Sequence, residues 1–457
     1  ILSKMYIGAG IGFIGLCLGV HSVFLPWVIS VGFGLAVVFP LVLWNFPWIG
    51  VALTLSVVFI APDVKWADLA TGVALVIYLA KYILDGGRGL RLQEKRLSGL
   101  FVIWLGVIAL SVLAGYFYFG NSISYIYRDS RPFLYWLWVP VIAWLLEKED
   151  WRLDRLKSLF VFLGVLIASV ALVQWVFGIQ IVTSGRVGAL ETGGAYNVGE
   201  TRVQMHGYVF VMGVFIWAIC SLVLNPRRFT LFLPLLLVSG LAIYVNYGRA
   251  LWFWTAVAVF LAAFYLPKKR VFILSIFAFP FLVIAFGAVN KYAPQKVDAA
   301  VERMLSVQDE GGERSSYGLR RLENRQALQQ IYSNPLLGVG LGGEYRGWLS
   351  EIRNFEEHTR YVHNGYIFIA LKTGVVSLAL MCGFLALVWL KSARSFSVRA
   401  GDPQSPFVIA SIACFPACAG LSMTQPEIAN PYGVFFLAVI VLSMYSVGML
   451  KEEAKNC

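Results

Sequence analysis

The sequence predicts an all-α, polytopic membrane protein with about 12–14 transmembrane helices and one large, partly helical external loop. Three observations carry this. Of the 457 residues, 59% are hydrophobic and only 14% charged, and the mean hydropathy is +0.73, which excludes an ordinary soluble domain. Apolar runs near the ~20 residues needed to cross a hydrocarbon core recur from Met5 to Leu450. Basic residues gather between those runs: Arg88, Arg91, Lys95 and Arg96; Arg227 and Arg228; Lys268, Lys269 and Arg270; Lys391, Arg394 and Arg399. Placing all four clusters on the cytoplasmic side satisfies the positive-inside rule, so the net charge of +12 reports topology and not a nucleic-acid partner.

Taken in order, spans are expected near residues 4–22, 26–44, 47–62, 66–84, 98–119, 132–146, 159–178, 205–224, 229–247, 250–266, 271–289, 363–390, 405–422 and 432–450. Pro26, Pro40 and Pro47 mark kinks or ends among the first of them. The first run is expected to be a span and not a removed presequence, because no small-residue processing pattern follows it. This divides the chain into helices with short loops over 1–289, a large loop over 290–362, and C-terminal helices over 363–457. A shorter external loop is expected near 178–204. Five of the six cysteines fall in apolar runs and the sixth ends the sequence, so no external disulfide framework is implied.

The large loop holds equal numbers of basic and acidic residues, so affinity for an anion there depends on local placement. Tyr317–Ser333 has a helical pattern, with Leu319, Leu322, Ala327, Leu328 and Ile331 on one side and arginines on the other. Asn334-Pro335 ends that helix. Gly338-Val-Gly-Leu-Gly-Gly343 follows a proline-ended helix with no strand before it, and reads as a turn instead of a dinucleotide fingerprint.

Arg249 is the most informative residue. It interrupts Leu241–Trp254, which otherwise reads as membrane, and a guanidinium there marks a functional site by default. His363 opens the run after the large loop, where an imidazole is suited to general-base work or is simply an interfacial side chain. Under the expected topology both face the same aqueous boundary, as do Arg186, Arg202, Arg320, Arg321 and Arg325. Several arginines beside one histidine suit an anionic leaving group and a hydroxyl nucleophile, because guanidinium forks bind phosphate oxygens bidentately. No Asp-x-Asp motif is present to hold a metal on a diphosphate, and neither metal nor other cofactor is expected.

Asn334-Pro-Leu-Leu-Gly-Val-Gly-Leu-Gly342, the following His363-Asn-Gly-Tyr and the Lys372-Thr-Gly turn resemble the loop region of the O-antigen ligase and polymerase superfamily. Asn246-Tyr-Gly-Arg-Ala-Leu-Trp252 resembles that superfamily's arginine-bearing helix end, with Gly248 where serine is usual. The resemblance implies a GT-C type glycosyltransferase of the bacterial inner membrane with its active site on the periplasmic side. It would take a glycan from undecaprenyl diphosphate and pass it to a hydroxyl of lipid A-core, another surface acceptor or a growing glycan. His363 is then the expected base and Arg249 the expected catalytic diphosphate ligand. Arg186 or Arg202 supplies a further arginine, with Arg321 a weaker addition. Ligase and polymerase share donor and chemistry, and the ligase is preferred. An anion transporter is a third reading and predicts inverted repeats and broken helices.

Overall fold

A computed structural model describes residues 39–60, 64–85, 95–148, 152–182, 185–192, 195–273, 275–276, 291, 298, 301, 316–347, 359–396 and 403–456. The expected spans at 4–22, most of 26–44 and most of 271–289 lie outside the described residues, as does much of the large loop. The chain divides into two compact units, Ile1–Arg88 and Gly89–Cys457. In the first, α1 (Pro47–Ile60) packs on α2 (Val64–Leu84), and the Tyr78 hydroxyl donates to the Pro47 carbonyl at 2.8 Å.

The second unit is a helical bundle. Its elements are α3 (Lys95–Phe117), α4 (Ile123–Leu134), α5 (Trp138–Glu147), α6 (Asp154–Phe177), α7 (Tyr208–Leu224), α8 (Phe229–Val245), α9 (Arg249–Tyr265), α10 (Ser316–Ser333), α11 (Gly365–Ser395), α12 (Ser405–Leu421) and α13 (Pro431–Asn456). Among the described residues, Leu97–Phe117, Asp154–Phe177, Pro226–Val245 and Gly365–Ser395 are long and apolar enough to cross a membrane, and shorter apolar helices accompany them. The protein is thus an all-α polytopic membrane protein. Its buried centre is aromatic: Trp104 meets Trp136 edge-on at 5.3 Å, and Phe160 packs among Phe210, Phe407 and Phe436. Side chains turned outward from the bundle, such as Val102, Leu110, Phe260 and Phe264, are apolar too, as a lipid-facing surface requires.

One sheet occurs among the described residues. The expected external loop after α6 folds into an antiparallel ribbon of β1 (Gly185–Thr192) and β2 (Ala195–Met205), with a register irregularity at Ala189/Leu190. Its glycines and charges made it read as loop, because a two-stranded ribbon has no apolar run of its own. Gln174 of α6 anchors its approach by accepting from the Ile181 and Val182 amides, each at 2.9 Å.

The direction of the helices sorts the chain's charges. Tyr265 at the end of α9 meets Phe396 just past α11, and Arg270 donates to the Val223 and Leu224 carbonyls at the end of α7. The clusters Arg227–Arg228, Lys268–Arg270 and Lys391–Arg394 therefore gather at one end of the bundle. At the other end lie the starts of α7, α9, α11 and α13, the ribbon, and the ends of α8 and α12. This separation is the spatial form of the positive-inside pattern.

Among the described residues, two helices are interrupted. Where one span was expected over 132–146, α4 carries Pro132 and passes through the 3-10 turn Tyr135–Leu137 into α5. The helix begins nine residues before the expected span and includes the charged Arg128, Asp129 and Arg131, of which Asp129 is paired with Lys372. The second break is in α11, where Gly374 has φ 85° and ψ 164°. The turn after α10 fills the gap: the Val375 amide donates to the Pro335 carbonyl at 2.9 Å, and the Val339 amide to the Leu371 carbonyl at 2.8 Å. These two bonds satisfy groups that the lost helical turn would have orphaned. A Cβ on Gly374 would run into the Leu336 carbonyl, and one on Gly338, itself at φ 61°, into that of Leu371. The glycine run is therefore a turn, as expected, and its glycines let backbone meet backbone.

Candidate functional site

The hairpin between α8 and α9 turns in three residues. Tyr247 sits at φ 49°, the one non-glycine residue at positive φ among those described, and is fully buried against Tyr244 and Trp252. Holding a bulky residue in that region costs on the order of 1–3 kcal/mol, which the surrounding packing must offset. The indole of Trp252 donates to the Ile243 carbonyl at 2.9 Å and locks the turn from the far side. From β2, the Arg202 guanidinium donates Nε–H to the Asn246 carbonyl at 2.9 Å, and Asn246 Nδ2 donates to the Val203 carbonyl at 3.3 Å.

Arg249 is the first residue of α9. A cation there opposes the positive end of the helix macrodipole, and the preceding Gly248 supplies no side-chain cap. The start of α9 thus carries Arg249, and the turn before it is bonded to Arg202 of the ribbon. Arg186 lies opposite Gln204 on the ribbon, two register steps from the Arg202–Gly188 pair, and its side chain lies outside the described residues.

His363 precedes α11 by two residues. Asn364 caps the helix, its side-chain oxygen accepting from the Tyr366 and Ile367 amides at 3.0 and 3.2 Å, a contact type worth ~1 kcal/mol. The motif residue after the histidine is thus the one that fixes where the helix starts. The imidazole Nδ1 lies 2.8 Å from Glu323 Oε2, and the His363 amide donates to the same oxygen at 3.4 Å. Arg346 approaches the other carboxylate oxygen at 3.4 Å, and the Tyr361 ring meets the imidazole edge-on at 5.0 Å. Burial opposes the charge on Glu323, but the hydrogen bond and charge of His363 and the charge of Arg346 outweigh it and hold the carboxyl below its usual range.

On α10 the buried stripe is Glu323, Ala327 and Ile331, so Ala327 and Ile331 of the expected apolar side face inward, while Leu322 and Leu328 are exposed. Arg321 is exposed and lies roughly 200° around the helix from Glu323. Arg320, one turn before Glu323, is the arginine whose charge reaches Tyr361.

The two halves meet at one end of the bundle through α12. Trp254 of α9 packs on Gly420, where a side chain would collide with the indole. Two residues on, the Ser422 carbonyl accepts from the Gly365 amide at 2.8 Å, and the Tyr366 hydroxyl donates to Ala419 at 2.8 Å. The elements that carry Arg249 and His363 thereby both pack on the end of α12, and Arg202 reaches the turn before Arg249.

Two further features had weak signals in the sequence. Lys372, fully buried in α11, pairs with Asp129 of α4 at 2.7 Å and donates to the Gly343 carbonyl at 2.6 Å; Asp129 also accepts from the Gly342 amide at 2.8 Å. A lysine inside an apolar run was visible, but its partner 243 positions earlier in the chain was not. Arg360 adds to this clamp through Glu344, the Gly342 carbonyl at 3.2 Å and the face of Tyr125.

Glu427, between α12 and α13, is buried, which pushes its carboxyl up to about 7 against the opposing hydrogen bond from Asn430 at 3.2 Å. Its folded value lies above the usual 4.5, so the stability it contributes is full below about 4.5 and is lost as pH rises through about 7. Glu427→Gln is expected to remove this loss and to raise thermal stability at about pH 8 by up to about 3 kcal/mol while changing little near pH 4. Unfolding scans across that range check it, and parallel pH profiles for the two proteins would refute it.

Residues 233–382 match the family model described as O-antigen ligase. The match runs from α8 through the arginine turn, α10 and the glycine turn to the middle of α11. No curated protein matches the chain.

Proposed function

We propose, from the match of residues 233–382 to the O-antigen ligase family model, that this protein is a membrane glycosyltransferase that moves a glycan from undecaprenyl diphosphate onto a hydroxyl of lipid A-core or another surface acceptor. The reaction takes place at the periplasmic face of the bacterial inner membrane. The observation that carries this reading is the junction of an uncapped, arginine-bearing helix start, braced by Arg202, with a carboxylate-held histidine at the same end of the bundle.

In this reading the diphosphate is held by Arg249 and the first amides of α9, with Arg202 or Arg186 as the further arginine and Arg321 as an outer one. They stabilise charge that grows as the bond between the anomeric carbon and the phosphate oxygen breaks. The acceptor oxygen forms the new bond to that carbon, its proton passes to His363 Nε2, and undecaprenyl diphosphate leaves with the electron pair. Direct displacement inverts the anomeric configuration. The clustering of arginines supplies the positive charge that many phosphoryl-containing sites draw from a metal ion.

Broken helices, which a transporter would also have, are present at Gly374 and Tyr135–Leu137. The Gly374 break is filled by the chain's own turn, which favours the transferase.

The test is single-turnover transfer by purified, donor-loaded protein offered lipid A-core. His363→Ala is expected to lower the rate by about a hundredfold or more while donor binding persists, since arginines and not the imidazole hold the diphosphate. An unchanged rate would remove His363 from the chemistry. Product built only on lipid-linked glycan, with none on lipid A-core, would make the protein a polymerase.

A further inference from the structure

We propose that Glu323 is the positioning residue of His363, holding its ring as the Nδ1–H tautomer so that Nε2 is the nitrogen that receives the acceptor's proton. This rests on the reading of His363 as the base. The geometry is specific: a single carboxylate oxygen takes both the ring at Nδ1, 2.8 Å away, and the backbone amide of the same residue at 3.4 Å. The residue is thereby gripped at two points, so neither the ring torsions nor the chain before α11 is left to chance.

The carboxylate is itself fixed. Arg346, whose side chain is almost fully buried, stands 3.4 Å from the other oxygen, and Arg346 lies over the Tyr345 ring at 5.2 Å. Tyr345 in turn donates its hydroxyl to the Tyr361 carbonyl at 3.0 Å, next to the ring that flanks His363. Glu323 arrives from the inward face of α10, forty positions before the histidine. The large loop thus folds back to support the side chain that opens the next helix.

Chemically, an ionised carboxylate accepts a hydrogen bond and does not donate one, so the neutral imidazole must carry its proton on Nδ1. When Nε2 takes the second proton, the imidazolium forms beside a negative charge already in place. Glu323 touches no reacting atom in this scheme. Its effect passes entirely through His363.

The protein carries only four histidines, so selective 15N-histidine labelling of the full chain in detergent micelles resolves the ring. With the ring in its neutral form, the wild-type His363 signal is expected to show a protonated Nδ1 and an unprotonated Nε2; the opposite tautomer overturns the proposal without any variant having to fold. Glu323→Gln is expected to lower the single-turnover rate by about a hundredfold with donor affinity changed less than about twofold. The double variant Glu323→Gln with His363→Ala is expected to be no slower than His363→Ala alone, because a positioning residue has nothing left to position. A Glu323→Gln protein that transfers at the wild-type rate while His363→Ala is inactive sinks this inference and leaves the base intact. If His363→Ala is itself active, it is the reading of the base that fails.

Discussion

Arg249→Ala is expected to abolish measurable transfer and leave a folded, membrane-inserted protein. The turn that carries Arg249 is held by Tyr247, by the Trp252 bond to Ile243, and by the exchange between Arg202, Asn246 and Val203. Removing a cation from the first position of α9 also relieves its opposition to the macrodipole, an effect of about 0.3–1 kcal/mol in favour of the helix. The loss falls on the ligand. A hydrogen bond to a charged group contributes about 1.5–3 kcal/mol, and one that strengthens as the leaving group gains charge acts directly on the rate. Arg249→Lys is expected to be impaired as well, because an ammonium cannot reproduce the planar fork. Transfer assays at matched protein levels check both variants, and a wild-type rate for Arg249→Ala contradicts the proposed role.

The second large effect is expected at the pair Lys372–Asp129. Removing one member strands the other in a buried position, and such uncompensated charges destabilise by about 3–5 kcal/mol. Lys372→Met is therefore expected to unfold at a much lower temperature than wild type. It should also loosen the glycine turn, since Lys372 binds Gly343 and Asp129 binds Gly342. Asp129→Asn leaves Lys372 in the same position and is expected to be destabilised similarly. Combining the two should recover much of the loss, because no buried charge then remains. Thermal unfolding of the purified proteins distinguishes this coupling from independent effects: additive losses in the double variant would show that the pair does not hold the turn.

At α10 local sequence and tertiary environment act on different features of one helix. The helix itself, its end at Asn334-Pro335 and the glycine turn beyond it follow from local rules, and the structure has all three. Its orientation follows from them only in part: Ala327 and Ile331 of the expected apolar side are buried, but Leu322 and Leu328 are exposed, and the inward stripe also carries Glu323, paired with His363 and Arg346. Asp129, three residues before the expected start of the span at 132, likewise lies at the buried end of an ion pair that no local pattern indicates. The ribbon at 185–205 was illegible for another reason: its stability comes from pairing and from contacts with α6 and the α8–α9 turn, none of which leaves a period in the sequence.

The sequence by itself determined the membrane character and most of the helices, and it singled out the gathering of basic residues between apolar runs and two residues as candidates for a site. Each of these depends on composition or on neighbours within a few turns, where hydrophobic period, proline, glycine and charge act locally. Only the tertiary structure decided that Glu323 partners His363, that Arg202 braces the turn before Arg249, and that Lys372 and Asp129 clamp the glycine turn into the break of α11. Those partners lie forty or more positions apart. A buried charge in a low-dielectric bundle must find its counter-charge wherever the fold brings one, and nothing in the local sequence records which one that is.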